Sequence, residues 1–257
     1  LTGFGINCDA ETETAFSRAG ADAHHAHLND LIARPDTLNE MDILAIPGGF
    51  SFGDDVASGR IFANRLRFQL GSALLKFVRD GKLAIGICNG FQVMVKMGLL
   101  PLFDGAFEQE VTLTHNDHNR FENRWVHLKT AEDTRCVWLE GIRNLELPVR
   151  NGEGKFVPRD ADTLARLQRN GQVALRYAGS GRGPSYNPNG SVDDIAGICD
   201  PSGRVFGLMP HPEGYVLPTN HPRWTREDVG VGDLGLRLFI NAVEYVRGPA
   251  RESVRTS

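Results

Sequence analysis

A cysteine at position 88 stands in the run Gly86-Ile87-Cys88-Asn89-Gly90, directly after the apolar stretch KLAIGI of residues 82–87. A G-x-C-x-G sequence between a buried strand and a helix is a nucleophile elbow: the sharp turn lifts the side chain out of the sheet edge, and the glycines make room for the tight backbone. The N–H groups that open the following helix point at the sulfur and favour the thiolate, the attacking form. Free thiols are most often buried as small hydrophobes. The elbow context favours the nucleophile.

A second run, Met209-Pro210-His211-Pro212-Glu213, follows the apolar segment VFGLM. A cysteine nucleophile needs a base that later serves as an acid, and histidine does both near neutral pH. Glu213 is suited to fix the tautomer of His211; an extended segment would project the two side chains the same way. A third run, Pro47-Gly48-Gly49-Phe50-Ser51, supplies bare backbone. Attack on an amide generates an oxyanion that needs preorganised N–H donors, and those of Gly49 and Asn89 are the candidates.

The elements that position these runs alternate between strand and helix. Residues 1–4 read as the end of a strand, 10–19 as a helix stopped by Gly20, 21–27 as a short strand and 42–46 as a buried parallel strand. A glycine-bearing loop spans 47–55, a long amphipathic helix 60–79, and the strand 82–87 runs through the elbow into a helix ended by Gly98. This β-α-β order predicts an α/β fold with a parallel sheet covered on both faces, and ligands bound beyond the carboxyl ends of its strands. The second half is richer in strands: 110–114, 125–129, 145–149, 173–177, 195–199 and 205–209, with a long loop at 179–191 and a last helix over 234–247. No linker divides the chain, so residues 1–257 read as one domain. Phe62, Phe68, Phe77, Trp125, Trp138 and the methionines read as core.

Composition narrows the function. Hydrophobic residues make up 41% of 257 and charged residues 23%, with a formal net charge of -4. That balance is ordinary for a soluble globular protein and offers no basic surface for nucleic acid or for a membrane. Arg65, Arg67, Lys76 and Arg79 read as a solvated helix face. No apolar run is long enough to span a bilayer, and no signal peptide is visible. The four cysteines, at 8, 88, 136 and 199, form no CxxC pair, which fits free thiols in the cytoplasm and no zinc site. His24-His25-x-His27 puts neighbours on opposite faces of a strand, and His115-x-x-His118 lies in a polar turn; no metal is expected at either.

With these runs in hand, the chain resembles the class I, triad-type glutamine amidotransferases, and among them most closely the glutaminase subunits of phosphoribosylformylglycinamidine synthase. The resemblance rests on Asn7-Cys8-Asp9, PGGFSFGDD at 47–55, GICNGFQV at 86–93, GEGKF at 152–156, NPNGSVDDIAG at 187–197 and GLMPHPE at 207–213. It implies a flavodoxin-like three-layer sandwich with a mostly parallel central sheet. It implies Cys88 as nucleophile, His211 as base and acid, Glu213 as its orienter, Gly49 and Asn89 as the oxyanion hole, and Phe50, Ser51 and Gln92 around the substrate. The implied reaction hydrolyses L-glutamine to glutamate and ammonia through a cysteinyl thioester. The implied partners are a synthetase subunit, where ATP and magnesium would bind, and a small bridging subunit; no cofactor or metal is implied for this chain. GEGKF has neither the spacing nor the Ser/Thr of a phosphate-binding loop.

The chain departs from the pattern at Gly214, where arginine is expected, at Arg150-Asn151, where histidine is frequent, and in the long segment 214–233 with His221 and Trp224. Asp54 and Asp55 read either as turn residues or as contacts that order the loop when a partner docks, and Glu153 and Lys155 either as structural or as signalling between subunits. Three alternatives stand beside the main reading: the glutaminase domain of another amidotransferase, including one cut from a fused enzyme; a γ-glutamyl peptidase on the same fold; and a non-catalytic interaction module.

Overall fold

Three apolar runs build the half of the sheet that carries the motifs. In the computed structural model, which describes residues 1–104, 107–179, 186–226 and 235–248, they form β1 (Ile43–Ile46), β2 (Leu83–Ile87) and β9 (Val205–Leu208). The three are adjacent and parallel, with Ile46 opposite Gly86 and Ile87 opposite Leu208. Every residue of β2 is buried, as a strand covered on both faces requires.

Beyond β9 the sheet continues through β8 (Ile195–Cys199), β7 (Val173–Ala178), β4 (Glu122–Thr130) and β5 (Asn144–Asn151), giving the order β1-β2-β9-β8-β7-β4-β5. These four are joined antiparallel. The parallel character expected of the sheet is therefore concentrated where the elbow lies. A separate antiparallel pair, β3 (Val111–Thr114) and β6 (Lys155–Pro158), sits outside it.

Helices cover the sheet by their periodic apolar faces. α3 (Arg60–Arg79) buries Phe62, Leu66, Leu70, Leu74 and Phe77, the three-and-four spacing of one helical stripe. Phe68 falls off that stripe and is 78% exposed, which corrects its reading as core. α4 (Asn89–Met97) is buried along almost its whole length and ends on a left-handed Gly98. α1 (Asp9–Arg18) and α6 (Leu236–Arg247) pack through Phe16 and Phe239, whose rings meet edge to face at 4.9 Å. No helix among the described residues is long and apolar enough to cross a membrane.

The structure adds α2 (Leu28–Ala33), β6 and α5 (Ala161–Arg169), which the sequence pattern did not separate from loop. α5 starts where the Asp160 carboxylate accepts the Thr163 N–H at 2.7 Å, a side-chain cap. The strand expected over 21–27 is absent; only His27 forms a bridge, to Thr2. The reason is a missing ladder partner: among the described residues the stretch finds one only at Thr2, through Ala26 and Leu28. Between this segment and β1 lies a cleft of about 700 Å³ whose wall includes Leu1, Phe16, Leu31 and Leu44. Residues 180–185, within the expected loop, and 227–234, including Leu234 at the start of the expected last helix, lie outside the described residues.

Close backbone approach makes one glycine decisive. A Cβ on Gly90 would lie 1.8 Å from the carbonyl oxygen of Ile46 on β1, so Gly90→Ala must push α4 off the sheet. Urea unfolding should show a loss of about 3 kcal/mol or more for Gly90→Ala. Gly141→Ala, at a left-handed position with open space around it, should lose only about 1–2 kcal/mol. Equal losses would mean that helix and strand do not meet there.

Candidate active site

The elbow is strained as its sequence predicts. Cys88 has φ 51° and ψ -105°, a conformation that costs a non-glycine residue about 1–3 kcal/mol and persists only where neighbours over-determine it. Its N–H donates to Leu208 of β9 at 2.8 Å, and its carbonyl accepts from Gln92 at 3.1 Å in the first turn of α4. A Cβ on Gly86 would come within 2.6 Å of the Gly90 carbonyl oxygen, so both motif glycines are needed for the turn to close. The Cys88 thiol is buried and points to the Arg150 carbonyl of β5 at 3.7 Å.

His211 and Glu213 are brought together by a different local structure from the extended segment expected. Pro212–Gly214 forms a single 3-10 turn with Pro212 at its start; the Gly214 N–H closes back on the His211 carbonyl at 3.2 Å. Proline preorganises such a turn because its fixed φ suits a helical first position. The turn holds His211 Nδ1 2.5 Å from Glu213 Oε1, with both side chains 3% exposed. β5 fixes the histidine backbone, whose N–H donates to Pro148 at 2.8 Å.

This pairing decides the ring's charge. Burial is the largest single influence on His211 and pushes its pKa down. The Glu213 carboxylate foremost, then the Cys88 and Cys8 side chains, together carry it well above the ordinary 6.5. Nε2 of His211 and Oε2 of Glu213 have no hydrogen-bond partner among the described residues. The second imidazole nitrogen is thus the one left for a reacting group.

The glycine loop is held by the N-terminal segment. Asn7 N–H donates to the Gly48 carbonyl at 3.2 Å and Phe50 N–H to Gly5 at 2.9 Å, so Ile6 and Gly49 form a pair without bonds of their own. In such a pair the N–H points away from the neighbouring strand, which keeps the Gly49 donor out of the ladder. The Asn89 N–H opens α4 and has no acceptor within the helix. Both proposed oxyanion donors therefore lack a structural duty in the segments that carry them.

The Asn89 side chain ties loop to elbow. Its Oδ1 accepts the Ser51 N–H at 3.2 Å, and its Nδ2 donates to Asp54 at 3.3 Å and to Gln92 Oε1 at 2.9 Å. Gln92 Nε2 then reaches the Glu153 carbonyl at 2.7 Å. Of the residues expected at the substrate, Ser51 and Gln92 are thus gathered around Asn89. The buried Ser51 hydroxyl has no partner among the described residues. Phe50 stands apart, 48% exposed and 6.5 Å from Phe121. Partial burial raises the Asp54 pKa and lowers that of Lys96 on α4; Glu153 adds to the first shift and opposes the second. Asp54 is therefore already a contact of the loop.

Sequence reasoning assigned no role to two residues near the triad. The Cys8 sulfur and the His211 ring flank Gly48: a Cβ there would lie 3.2 Å from Cys8 Sγ and 2.9 Å from His211 Cε1. Tyr177 is buried on β7, bonds Asn189 at 3.2 Å, and has its pKa raised by burial foremost, with Cys88 contributing. The only early signal for Cys8 was its place in Asn7-Cys8-Asp9.

The remaining motifs make local contacts. His27 caps α2 through Asn29 at 3.2 Å, and His118 meets Pro188 at 3.0 Å and Glu122 at 2.8 Å. Lys155 of GEGKF pairs with Asp117 at 2.5 Å. On α3, Arg65 bonds Asn29 at 3.0 Å and Lys76 pairs with Asp80 at 2.6 Å. In 214–226, His221 and Arg223 both reach Glu146 of β5, at 3.2 and 3.1 Å, while Trp224 is exposed.

Fold and elbow are those of the triad-type amidotransferase class that the sequence resembles. Within it the chain belongs to the CobB/CobQ-like glutamine amidotransferase domain family, whose model matches residues 1–246. It is 45% identical over 247 residues to phosphoribosylformylglycinamidine synthase subunit PurQ of Dehalococcoides mccartyi, covering 95% of this chain and 94% of that one. The corresponding subunit of Methanococcus maripaludis is 42% identical over 261 residues, covering 95% of each. Among solved structures, a chain of PurLQS from Thermotoga maritima superposes with a TM-score of 0.71 at 29% identity, over 95% of this chain and 96% of that one.

The tie between loop and elbow is open to measurement by amide hydrogen exchange. Removing the Asn89 acceptor costs the Ser51 amide a buried hydrogen bond of about 1–1.5 kcal/mol. In Asn89→Ala that amide should exchange about tenfold faster, with α6 unchanged. Unchanged protection of Ser51 would show that something else holds the loop.

Proposed function

We propose that this chain is the glutaminase subunit of phosphoribosylformylglycinamidine synthase, which hydrolyses L-glutamine and delivers the ammonia to a synthetase partner in purine biosynthesis. The observation that carries the reading is identity of 42–45% to subunits of that name along 95% of the chain. The geometry supplies the chemistry. The Cys88 thiolate attacks the carboxamide carbon, and the N–H groups of Gly49 and Asn89 receive the oxygen as it becomes negative. His211, held protonated by Glu213, gives a proton from Nε2 to the leaving nitrogen, and ammonia departs from the γ-glutamyl thioester. The now neutral imidazole takes a proton from water. The hydroxide equivalent cleaves the thioester, releasing glutamate and restoring the thiolate–imidazolium pair.

Glu213 does not change its charge in this scheme; it keeps Nδ1 protonated and Nε2 facing the reaction. Ser51, with its buried hydroxyl unpartnered among the described residues, lines the substrate side. Gln92 holds the wall between the elbow and Glu153 and offers its amide to glutamine from there. In this reading ATP and magnesium bind on the synthetase partner; GEGKF lacks a phosphate-binding spacing. A small bridging subunit completes the complex, which works in the cytoplasm.

The test is a mixture of this protein with a synthetase subunit, formylglycinamide ribonucleotide, ATP, magnesium and glutamine. Glutamate release should rise when the partner is present, with matching amide-to-amidine conversion. Cys88→Ser should lower both by at least about a thousandfold, while added ammonia still supports the conversion. Hydrolysis of γ-glutamyl peptides without turnover of glutamine would assign the chain to the peptidases instead.

A further inference from the structure

Cys8 takes no part in the mechanism above, yet its thiol lies beside the catalytic pair. Its Sγ, a ring nitrogen of His211 and a carboxylate oxygen of Glu213 all fall within 4.8 Å of one another. Among the described residues this is the only group of three or more histidine, cysteine or acidic side chains so placed. Two of the three are at least 96% buried, and His211 Nε2 and Glu213 Oε2 lack a hydrogen-bond partner among the described residues. Cys8 is partly exposed and so opens the cluster to solvent. Gly48 packs bare backbone against both the sulfur and the ring, so no side chain at that position separates them.

We propose that Cys8, His211 and Glu213 bind a borderline-soft divalent cation of the zinc class, which stops the enzyme by occupying the imidazole and the carboxylate. The donor set decides the class of metal. One thiolate, one imidazole and one carboxylate suit zinc or cadmium, whereas magnesium and calcium take oxygen ligands. Bond lengths of about 2.0–2.3 Å to such an ion put its ligands roughly 3.3–3.8 Å apart in a tetrahedron. The cluster reaches that spacing by side-chain shifts of about 1 Å. Water or the nearby Cys88 thiol fills the fourth position. This ion is an inhibitor and not a cofactor: with it bound between ring and carboxylate, Glu213 no longer holds His211 as the imidazolium that protonates the leaving ammonia. Binding itself does not depend on which reaction the triad performs; inhibition rests on the function proposed above.

Cadmium titration of the metal-free full-length protein reads the site through the ultraviolet thiolate-to-metal charge-transfer band. Cys88→Ala, which removes the catalytic thiol, should still take up one equivalent of cadmium with that band. Cys8→Ala, confirmed as folded by circular dichroism, should lose the band, and Glu213→Gln should weaken binding at least tenfold. Zinc should inhibit glutamine hydrolysis in the wild type at concentrations at least tenfold lower than in Cys8→Ala. A band that survives Cys8→Ala would place the metal elsewhere, including at the buried Cys136 and Cys199. A band that vanishes in Cys88→Ala would make the catalytic thiol the essential ligand. Either result overturns the proposal, and neither bears on whether the chain is a glutaminase.

Discussion

A carboxylate and an imidazole, each almost wholly out of water, stand 2.5 Å apart at the end of the parallel strands. Neither would be stable as a lone charge there, because burying an unpaired ion costs several kcal/mol. Together they hold a proton that the ring alone would give up on burial. The 3-10 turn that joins them, the β5 carbonyl that anchors His211 and the loops that exclude solvent all act on that one contact. It also sets a pH dependence of stability. The folded His211 pKa lies above its unfolded value, so its contribution is complete below about pH 6.5 and is lost as pH rises through the folded pKa.

The second constraint is crowding at the elbow. Cys88 keeps a costly backbone conformation because β1, β2, β9 and α4 leave no room for another, and Gly86 and Gly90 are the positions where the approach is closest. The glycine loop is assembled separately, on residues 4–8, and the Asn89 side chain spans the gap between them. Site geometry thus rests on a rigid sheet edge carrying the thiol, a turn carrying the imidazole and carboxylate, and one amide side chain joining the loop to the elbow. That amide bonds Gln92, which reaches the Glu153 carbonyl, so a change in GEGKF is mechanically connected to the oxyanion loop.

Much of this was legible in the sequence because it follows from local rules. Continuous apolar runs marked β1, β2 and β9, a helical stripe marked α3 over its observed bounds, and the motif spacing marked the thiol, imidazole and carboxylate. What escaped was decided by tertiary partners. Residues 21–27, read as a short strand, hold no β-branched residue and have only Thr2 to pair with among the described residues. Phe68 is apolar but lies off the buried stripe. α5 is short and polar on most of its surface, so its pattern was hidden until packing against β6 and its Asp160 cap were visible. The His211–Glu213 contact was expected from alternation along a strand; the fold makes it instead where an extended His211 enters the 3-10 turn of Pro212–Gly214. Cys8 was invisible as a neighbour of His211 because 203 positions separate them in the sequence and only the fold over Gly48 joins them.

The central claim is that Glu213 holds the buried His211 ring protonated near neutral pH. Nitrogen-detected NMR titration of the His211 imidazole, in the wild type and in Glu213→Gln, measures it directly. The account predicts a wild-type pKa above 6.5 that falls by at least about one unit in the variant, since one unit is about 1.4 kcal/mol of differential interaction. A ring that titrates at or below 6.5 in the wild type, or one that Glu213→Gln leaves unmoved, would contradict it.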